Sequence, residues 1–243
     1  MKQTLSVGNI PCWCGSNEYT DHSGVWRSVS GTTATLRTCK KCGCSRTFKC
    51  EYEPYEENVY INALSLRHQN SLHTIKKYCK GRLLDIGCNC GEILNNLSEE
   101  DKFTSLKGID QNTTAINLGI KSYGCNLEAI SPEKLISRGA ELYDTITLVH
   151  VFEHVLNPTR FLQDLKKLLD KKGHKLIYIC VPNIENADIF SFGALDPREH
   201  YWHYTESSLN SLIKKAFPFA SIILSGKSHI WGYNEQIEIV IKL

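Results

Sequence analysis

Two patterns of apolar and polar positions divide this chain near residue 80. Beyond that point short apolar runs alternate with stretches in which apolar side chains recur every three or four positions, the signature of strands alternating with helices. The runs at 83–86, 106–109, 126–130, 143–149 and 175–181 predict five strands, the last halted by Pro182. Between them lie helical patterns at 92–97, 112–122, 132–138 and 158–170. Thr205 is placed to cap a further helix through Phe217, and two strands at 220–224 and 236–242 finish the pattern. Elements in this order build a doubly wound α/β domain whose sheet is mostly parallel and ends in a hairpin. Ahead of it, 51–60 is acidic and rich in tyrosine. Leu64, Leu66, His68, Leu72, Ile75 and Tyr78 then recur at helical intervals, predicting a helix that packs over a pocket mouth.

The first fifty residues read differently. They hold few long apolar side chains and six of the eleven cysteines, so burial alone cannot order them. Alternation through Val25, Arg27, Val29, Thr33, Thr35 and Leu36 predicts a hairpin, and a Cys-Gly turn stands on either side of it. The turns are Cys12-Trp13-Cys14-Gly15 and Cys39-Lys40-Lys41-Cys42-Gly43. Facing one another, they would offer Cys12, Cys14, Cys39 and Cys42 to a structural zinc, as in a zinc ribbon. The first pair is one residue shorter than usual, and Cys44, Cys50 or His22 could replace a ligand. With four protein ligands the metal has no open position, which points to a structural role.

Composition narrows the classes. A chain of 243 residues can bury one good-sized core and a small accessory module. A net charge of +2 provides no strong field for nucleic acid or an anionic membrane, and Lys166, Lys167, Lys171 and Lys172 read as the solvated end of a helix. No apolar run reaches membrane-spanning length, and 1–10 lacks a signal-peptide core, so a cytosolic protein with reduced cysteines is expected.

The chemistry concentrates at 83–94, LLDIGCNCGEIL. A buried strand runs there into a glycine-framed turn and then a helix, which is how an α/β protein builds a nucleotide pocket. Asp85 ends the strand, Gly87 and Gly91 permit the turn, and Asn89 between them tolerates left-handed backbone. The next strand ends in Asp110, the usual place for a carboxylate that accepts two ribose hydroxyls. The turn has neither the G-x-G-x-x-G spacing of a dinucleotide site nor the Lys-Ser/Thr pair of a P-loop.

Acid-x-Gly-x-x-x-Gly followed by a strand-end acid resembles the class I S-adenosylmethionine-dependent methyltransferases, and the Gly-x-Asn-x-Gly turn occurs in relatives that carry an N-terminal zinc domain. The resemblance covers about 81–243 and includes YDTITLVHVFEHVLNP (143–158), with its pair Glu153-His154, and KLIYICVPN (175–183). It implies a Rossmann-like sheet of seven strands with the last antiparallel, a ribbon over 1–55, a helical cap over 56–80 and the transfer domain over 81–243. It implies S-adenosylmethionine held by Asp85, Gly87, Cys88, Asn89, Gly91, Asp110 and Gln111. Ile130 and Ser131 would lie at the adenine and His150 at the methionine end.

Methyl transfer requires chiefly a positioned and deprotonated nucleophile. The polar-aromatic run 196–204 reads as a substrate-facing loop, and its Glu199-His200 resembles the pair following the fifth strand in zinc-containing sugar C-methyltransferases. His200 is then the candidate general base oriented by Glu199, with His150 next and His203 third; equally, His200 is a packing residue of that loop. Cys88 and Cys90 read as small side chains beneath the ligand. The implied acceptor is a small or carrier-linked molecule such as a glycan-precursor sugar, methylated at oxygen before carbon. An RNA or protein acceptor recognised by the ribbon, and a non-catalytic cofactor-binding protein that docks a partner, are the alternatives.

Overall fold

The computed structural model describes residues 2–8, 10–25, 32–53, 66–139, 141–185, 196–230 and 234–243. Its N-terminal part is an antiparallel sheet of β1 (Gln3–Ser6), β2 (Tyr19–Val25), β3 (Thr33–Cys39) and β4 (Ser45–Tyr52) in the order β1-β4-β3-β2. The predicted hairpin is β2 paired with β3, Tyr19 opposite Cys39 and Val25 opposite Thr33; Arg27 and Val29 lie outside the described residues. Tyr55, Tyr60 and Leu64 also lie outside them. The helix expected after the acidic stretch is α1 (Leu66–Tyr78), which buries Ile75 and carries His68 to the rim of a pocket.

The rest alternates as the pattern predicts. It runs β5 (Arg82–Ile86), α2 (Glu92–Leu97), β6 (Ser105–Asp110), α3 (Thr113–Tyr123), β7 (Leu127–Ala129), α4 (Pro132–Ser137) and β8 (Thr145–Val149). A 3-10 turn at Phe152–His154 leads to α5 (Pro158–Leu165) and β9 (Leu176–Pro182). Then come β10 (Trp202–His203), α6 (Glu206–Ala216), β11 (Ser221–Ile230) and β12 (Asn234–Lys242). Seven strands form the main sheet in the order β11-β12-β9-β8-β5-β6-β7, with β12 antiparallel to both neighbours and β5 to β9 parallel.

Local chemistry accounts for the element ends. Asn112, Ser131, Asn157 and Thr205 each accept a backbone N–H at the first turn of α3, α4, α5 and α6. The core strands β8 and β9 are buried at every position, as a parallel sheet covered on both faces requires.

Three expectations need correction. The helix expected over 158–170 stops at Leu165 and tightens into a 3-10 turn at Lys166–Leu168, because Leu168 and Leu169 turn inward. The strand expected over 220–224 runs on to Ile230, since the long β12 supplies pairing partners well beyond the apolar run. The third concerns 196–204. Its second half is not a substrate-facing loop: Trp202 and His203 form β10, which pairs with Arg46 and Ser45 of β4 and is buried. The N-terminal sheet is thereby stitched to the segment following β9.

Candidate active site

The site lies at the carboxyl edge of the parallel strands, where an open α/β sheet leaves a crevice. At the tip of β5, Gly87 takes φ +72° and donates its N–H to the Ile109 carbonyl; a Cβ there would come within 2.2 Å of Val151 Cγ2. Asn89 and Gly91 follow in the left-handed region at φ +50° and +81°, which turns the chain back into α2. Cys90 lies buried beneath this turn and Cys88 beside it, and Gly91 serves the backbone bend rather than lining a cavity.

Two cavities meet at Gly87 and His154. One, about 500 Å³, is walled by Ile109, Ile130, Ile136, Phe161 and Leu165, with Asp110 and Gln111 on its rim. Asp110 accepts the Asn89 N–H at 3.0 Å and the Asn112 N–H at 2.8 Å, so its carboxylate is held in place by both neighbouring turns. Ser131, expected at the adenine, instead caps α4 through its hydroxyl and leaves the wall to Ile130 and Pro132. An apolar slot with a fixed carboxylate at its lip fits an adenosine: a flat ring between aliphatic side chains, a diol at the acid.

The second cavity, about 330 Å³, is lined by acids. Asp85, Glu92, Glu153, Asp196 and Glu199 all face it together with four histidines, and among the described residues no lysine or arginine lines it. Such a lining fits the ammonium and sulfonium charges of a methionine moiety. Asp85 is buried and accepts the Thr147 hydroxyl at 2.6 Å; burial raises its pKa to about 7, more than that bond lowers it.

The candidate bases separate clearly. His150 sits at the end of β8 in left-handed backbone, φ +54°, with Nε2 3.2 Å from Gln236 Oε1 and Nδ1 3.5 Å from Glu153 Oε1. Burial disfavours its charged form, but the adjacent Cys180 sulfur and Glu153 carboxylate outweigh this and raise its pKa to about 10. Glu153, 1% exposed, is opposed by burial yet held low, at about 2, by His150 and the two further histidines near it. His200 lines the cavity with its ring edge-on to His154, centroids 4.6 Å apart, and burial lowers its pKa to about 4. His203 does not reach the cavity: it is buried against β4, its Nε2 3.0 Å from Thr47 Oγ1. Sequence reasoning took Glu153-His154 only as part of a family pattern, although their place directly after a strand end marked them as cavity residues.

On the N-terminal sheet the sulfurs of Cys12, Cys14, Cys39 and Cys42 all lie within 4.8 Å of one another. Cys12 and Cys42 are 3.5 Å apart and Cys14 and Cys39 3.6 Å, close to the roughly 3.8 Å edge that a tetrahedron of Zn–S bonds of about 2.3 Å requires. Burial opposes ionisation of Cys39, but the amides of Cys42 and Lys41 point at its sulfur and lower its pKa to about 7. The substitute ligands stay apart. Cys44 instead donates to the His203 carbonyl at 3.5 Å, and Cys50 and His22 are outside the cluster.

Fold and cleft together form an α/β domain with an apolar slot beside an acid-lined chamber at the carboxyl edge of its sheet. A model of the methyltransferase domain family, Methyltransf_23, matches residues 55–216, and the chain belongs to that family of S-adenosylmethionine-dependent methyltransferases. Among curated proteins, the ubiquinone biosynthesis O-methyltransferase of Caulobacter sp. (strain K31) is 25% identical over 130 residues, which is 50% of this chain and 52% of that protein. The chain thus spans about half the length of that relative. Among solved structures, the plantazolicin methyltransferase BpumL in complex with S-adenosylhomocysteine superposes with a TM-score of 0.54 at 21% identity, covering 72% of this chain and 81% of that one. The N-methyltransferase NodS from Bradyrhizobium japonicum WM9, also with S-adenosylhomocysteine, gives 0.55 at 12% identity, covering 73% and 88%. At these identities the two structures speak for the fold.

Proposed function

We propose that the protein transfers the methyl group of S-adenosylmethionine to an oxygen of a small or carrier-linked acceptor, with a sugar of a glycan precursor or secondary metabolite as the favoured class. The observation that carries this reading is the joining, at Gly87, of an apolar slot with a fixed carboxylate to an acid-lined chamber. Asp110 and Gln111 would take the ribose, Ile130 the adenine, and Asp85, Cys88, Asn89 and His150 the methionine end. The cofactor supplies an electrophilic methyl on a cationic sulfur. The chain's part is to exclude water, align the acceptor and stabilise the charges around it. The oxygen acceptor follows the curated relative, named an O-methyltransferase.

The four clustered cysteines would hold a structural zinc in a ribbon spanning 1–55, followed by a cap over 56–80 and the transfer domain over 81–243. A cytosolic setting, in which the cysteines stay reduced, is part of this reading. Among the described residues no helix is long and apolar enough to cross a membrane.

The test is calorimetry with S-adenosylhomocysteine followed by transfer of labelled methyl into metabolites of a deletion strain. Micromolar binding and one labelled product are expected. Binding without any product would reduce the protein to a cofactor-dependent docking module, and no binding would overturn the reading.

A further inference from the structure

Three side chains of the acid-lined chamber are not among those assigned above to the adenine, the ribose or the methionine end of the cofactor. Glu153, His154 and His200 each offer one ligand atom, and those atoms lie within 4.8 Å of one another. Two elements bring them there. Glu153 and His154 belong to the 3-10 turn following β8, while His200 stands eighteen residues beyond the end of β9. Its segment is fastened from both sides: the Tyr201 N–H donates to the Glu153 carbonyl at 3.0 Å, and the Thr47 hydroxyl donates to the His200 carbonyl at 2.8 Å.

Two of these side chains hold buried polar atoms that have no hydrogen-bond partner among the described residues. Glu153 is 1% exposed, and neither carboxylate oxygen accepts a hydrogen bond. His150 faces Oε1 at 3.5 Å, beyond hydrogen-bond length for a well-formed pair, and nothing satisfies Oε2 among the described residues. His200, 8% exposed, likewise leaves Nδ1 unpartnered. A buried carboxylate oxygen without a donor is costly, and His150, on one side of Glu153, leaves Oε2 unmet. The His154 Nδ1 lies 3.2 Å from the Glu199 carbonyl, which can only accept, an arrangement that leaves Nε2 as the nitrogen to offer a metal from the neutral ring.

The geometry points to a divalent-cation site formed by Glu153, His154 and His200, distinct from the cysteine cluster and open to the chamber. One carboxylate oxygen and two imidazole nitrogens suit Mn²⁺, Co²⁺, Fe²⁺ or Zn²⁺ better than Mg²⁺ or Ca²⁺, which favour all-oxygen sets. Three protein ligands leave positions for the acceptor. Resting on the methyltransferase reading above, the acceptor is then a molecule that presents a hydroxyl to the cation, and His200 serves as ligand where the sequence pointed to a general base.

Cobalt(II) titration of the 243-residue chain, loaded beforehand with one equivalent of zinc, tests this directly, with absorbance and calorimetry read together. One Co²⁺ per chain is expected, with a visible spectrum lacking the intense sulfur-to-cobalt charge transfer of a thiolate site. Affinity should fall at least tenfold in Glu153→Gln and in His154→Ala. The second variant, at a half-buried side chain, decides the matter should the first fail to fold. Absence of saturation up to millimolar Co²⁺, a spectrum of thiolate type only, or unchanged affinity in a folded His154→Ala would overturn the site. S-adenosylhomocysteine binding, measured in parallel, reports on the cofactor reading independently. Full methylation by protein stripped of Co²⁺ and similar ions would remove the cation from the acceptor's recognition.

Discussion

At the scale of single residues the cleft depends on carboxylates that the fold holds at strand tips. Asp110 is positioned by two backbone amides and faces the slot. Asp110→Ala should weaken S-adenosylhomocysteine binding by about 1.5–3 kcal/mol through loss of charge-assisted hydrogen bonds, read by calorimetry; unchanged affinity would remove Asp110 from the site. Asp85 gives a pH signature. Its pKa in the folded chain is about 7, against roughly 3.9 for an unfolded aspartate. A carboxyl raised on folding binds its proton more tightly in the native state. Its contribution is therefore fully present below about pH 4 and is lost as pH rises from about 4 to about 7. Asp85→Asn, which can still accept from Thr147, should thus stabilise the ligand-free chain by on the order of 2–4 kcal/mol at pH 8 and by under about 1 kcal/mol at pH 4.5. Urea unfolding at the two pH values measures this, and an equal gain at both would show that folding does not raise the Asp85 pKa. The Asp85 and Asp110 positions were legible in the sequence, because a strand-end acid beside a glycine turn is a local pattern. The pairing of Glu153 with His200 was not, since the 46 residues between them carry no spacing signal.

At the scale of elements, the turn from β5 into α2 works only if the chain passes under Val151. Gly87→Ala adds a Cβ 2.2 Å from Val151 Cγ2 at φ +72°, and should destabilise the chain by about 1–3 kcal/mol. Adding Val151→Ala should recover the steric part and leave the backbone part, so thermal melting of single and double variants separates the two; full additivity would show that the contact costs nothing. β4 supplies a second such dependence. Thr47 donates its hydroxyl to the His200 carbonyl, lies 3.0 Å from His203 Nε2, and donates its backbone N–H to the Tyr201 carbonyl. Thr47→Val keeps the shape and the backbone bond but removes the hydroxyl, so a loss of about 1–2 kcal/mol is expected in denaturant melts. No loss would mean the segment is held by its backbone pairing alone. Apolar periodicity showed the helix–strand order with small errors at ends, at Leu165 and Ile230, where tertiary neighbours set the length. It did not reveal β10, a two-residue strand inside a polar-aromatic run.

At the scale of the whole molecule, the N-terminal sheet is part of the cleft's support. The cysteine cluster closes the β3–β4 turn, where Cys39 donates its N–H to the Cys44 carbonyl, and β4 then carries β10 and with it His200. With zinc present, elemental analysis should find one atom per chain at the cysteine cluster, and removing it with a strong chelator should lower the melting temperature by several degrees or more. Retention of full stability after removal of all metal would return these cysteines to the pool of ordinary thiols. Length, neutral balance and cysteine distribution foretold two regions of different character. The sequence by itself determined what is local in the chain: strand and helix periods, glycine turns, strand-end acids and Cys-Gly knuckles, because each arises from residues within a few positions of one another. Only the tertiary structure decided which distant groups meet. The sheet order sets the 3-10 turn after β8 beside the segment after β9, and the pairing of β4 with β10 lays His200 there; neither is encoded in spacing, since both are products of strands packing at long range.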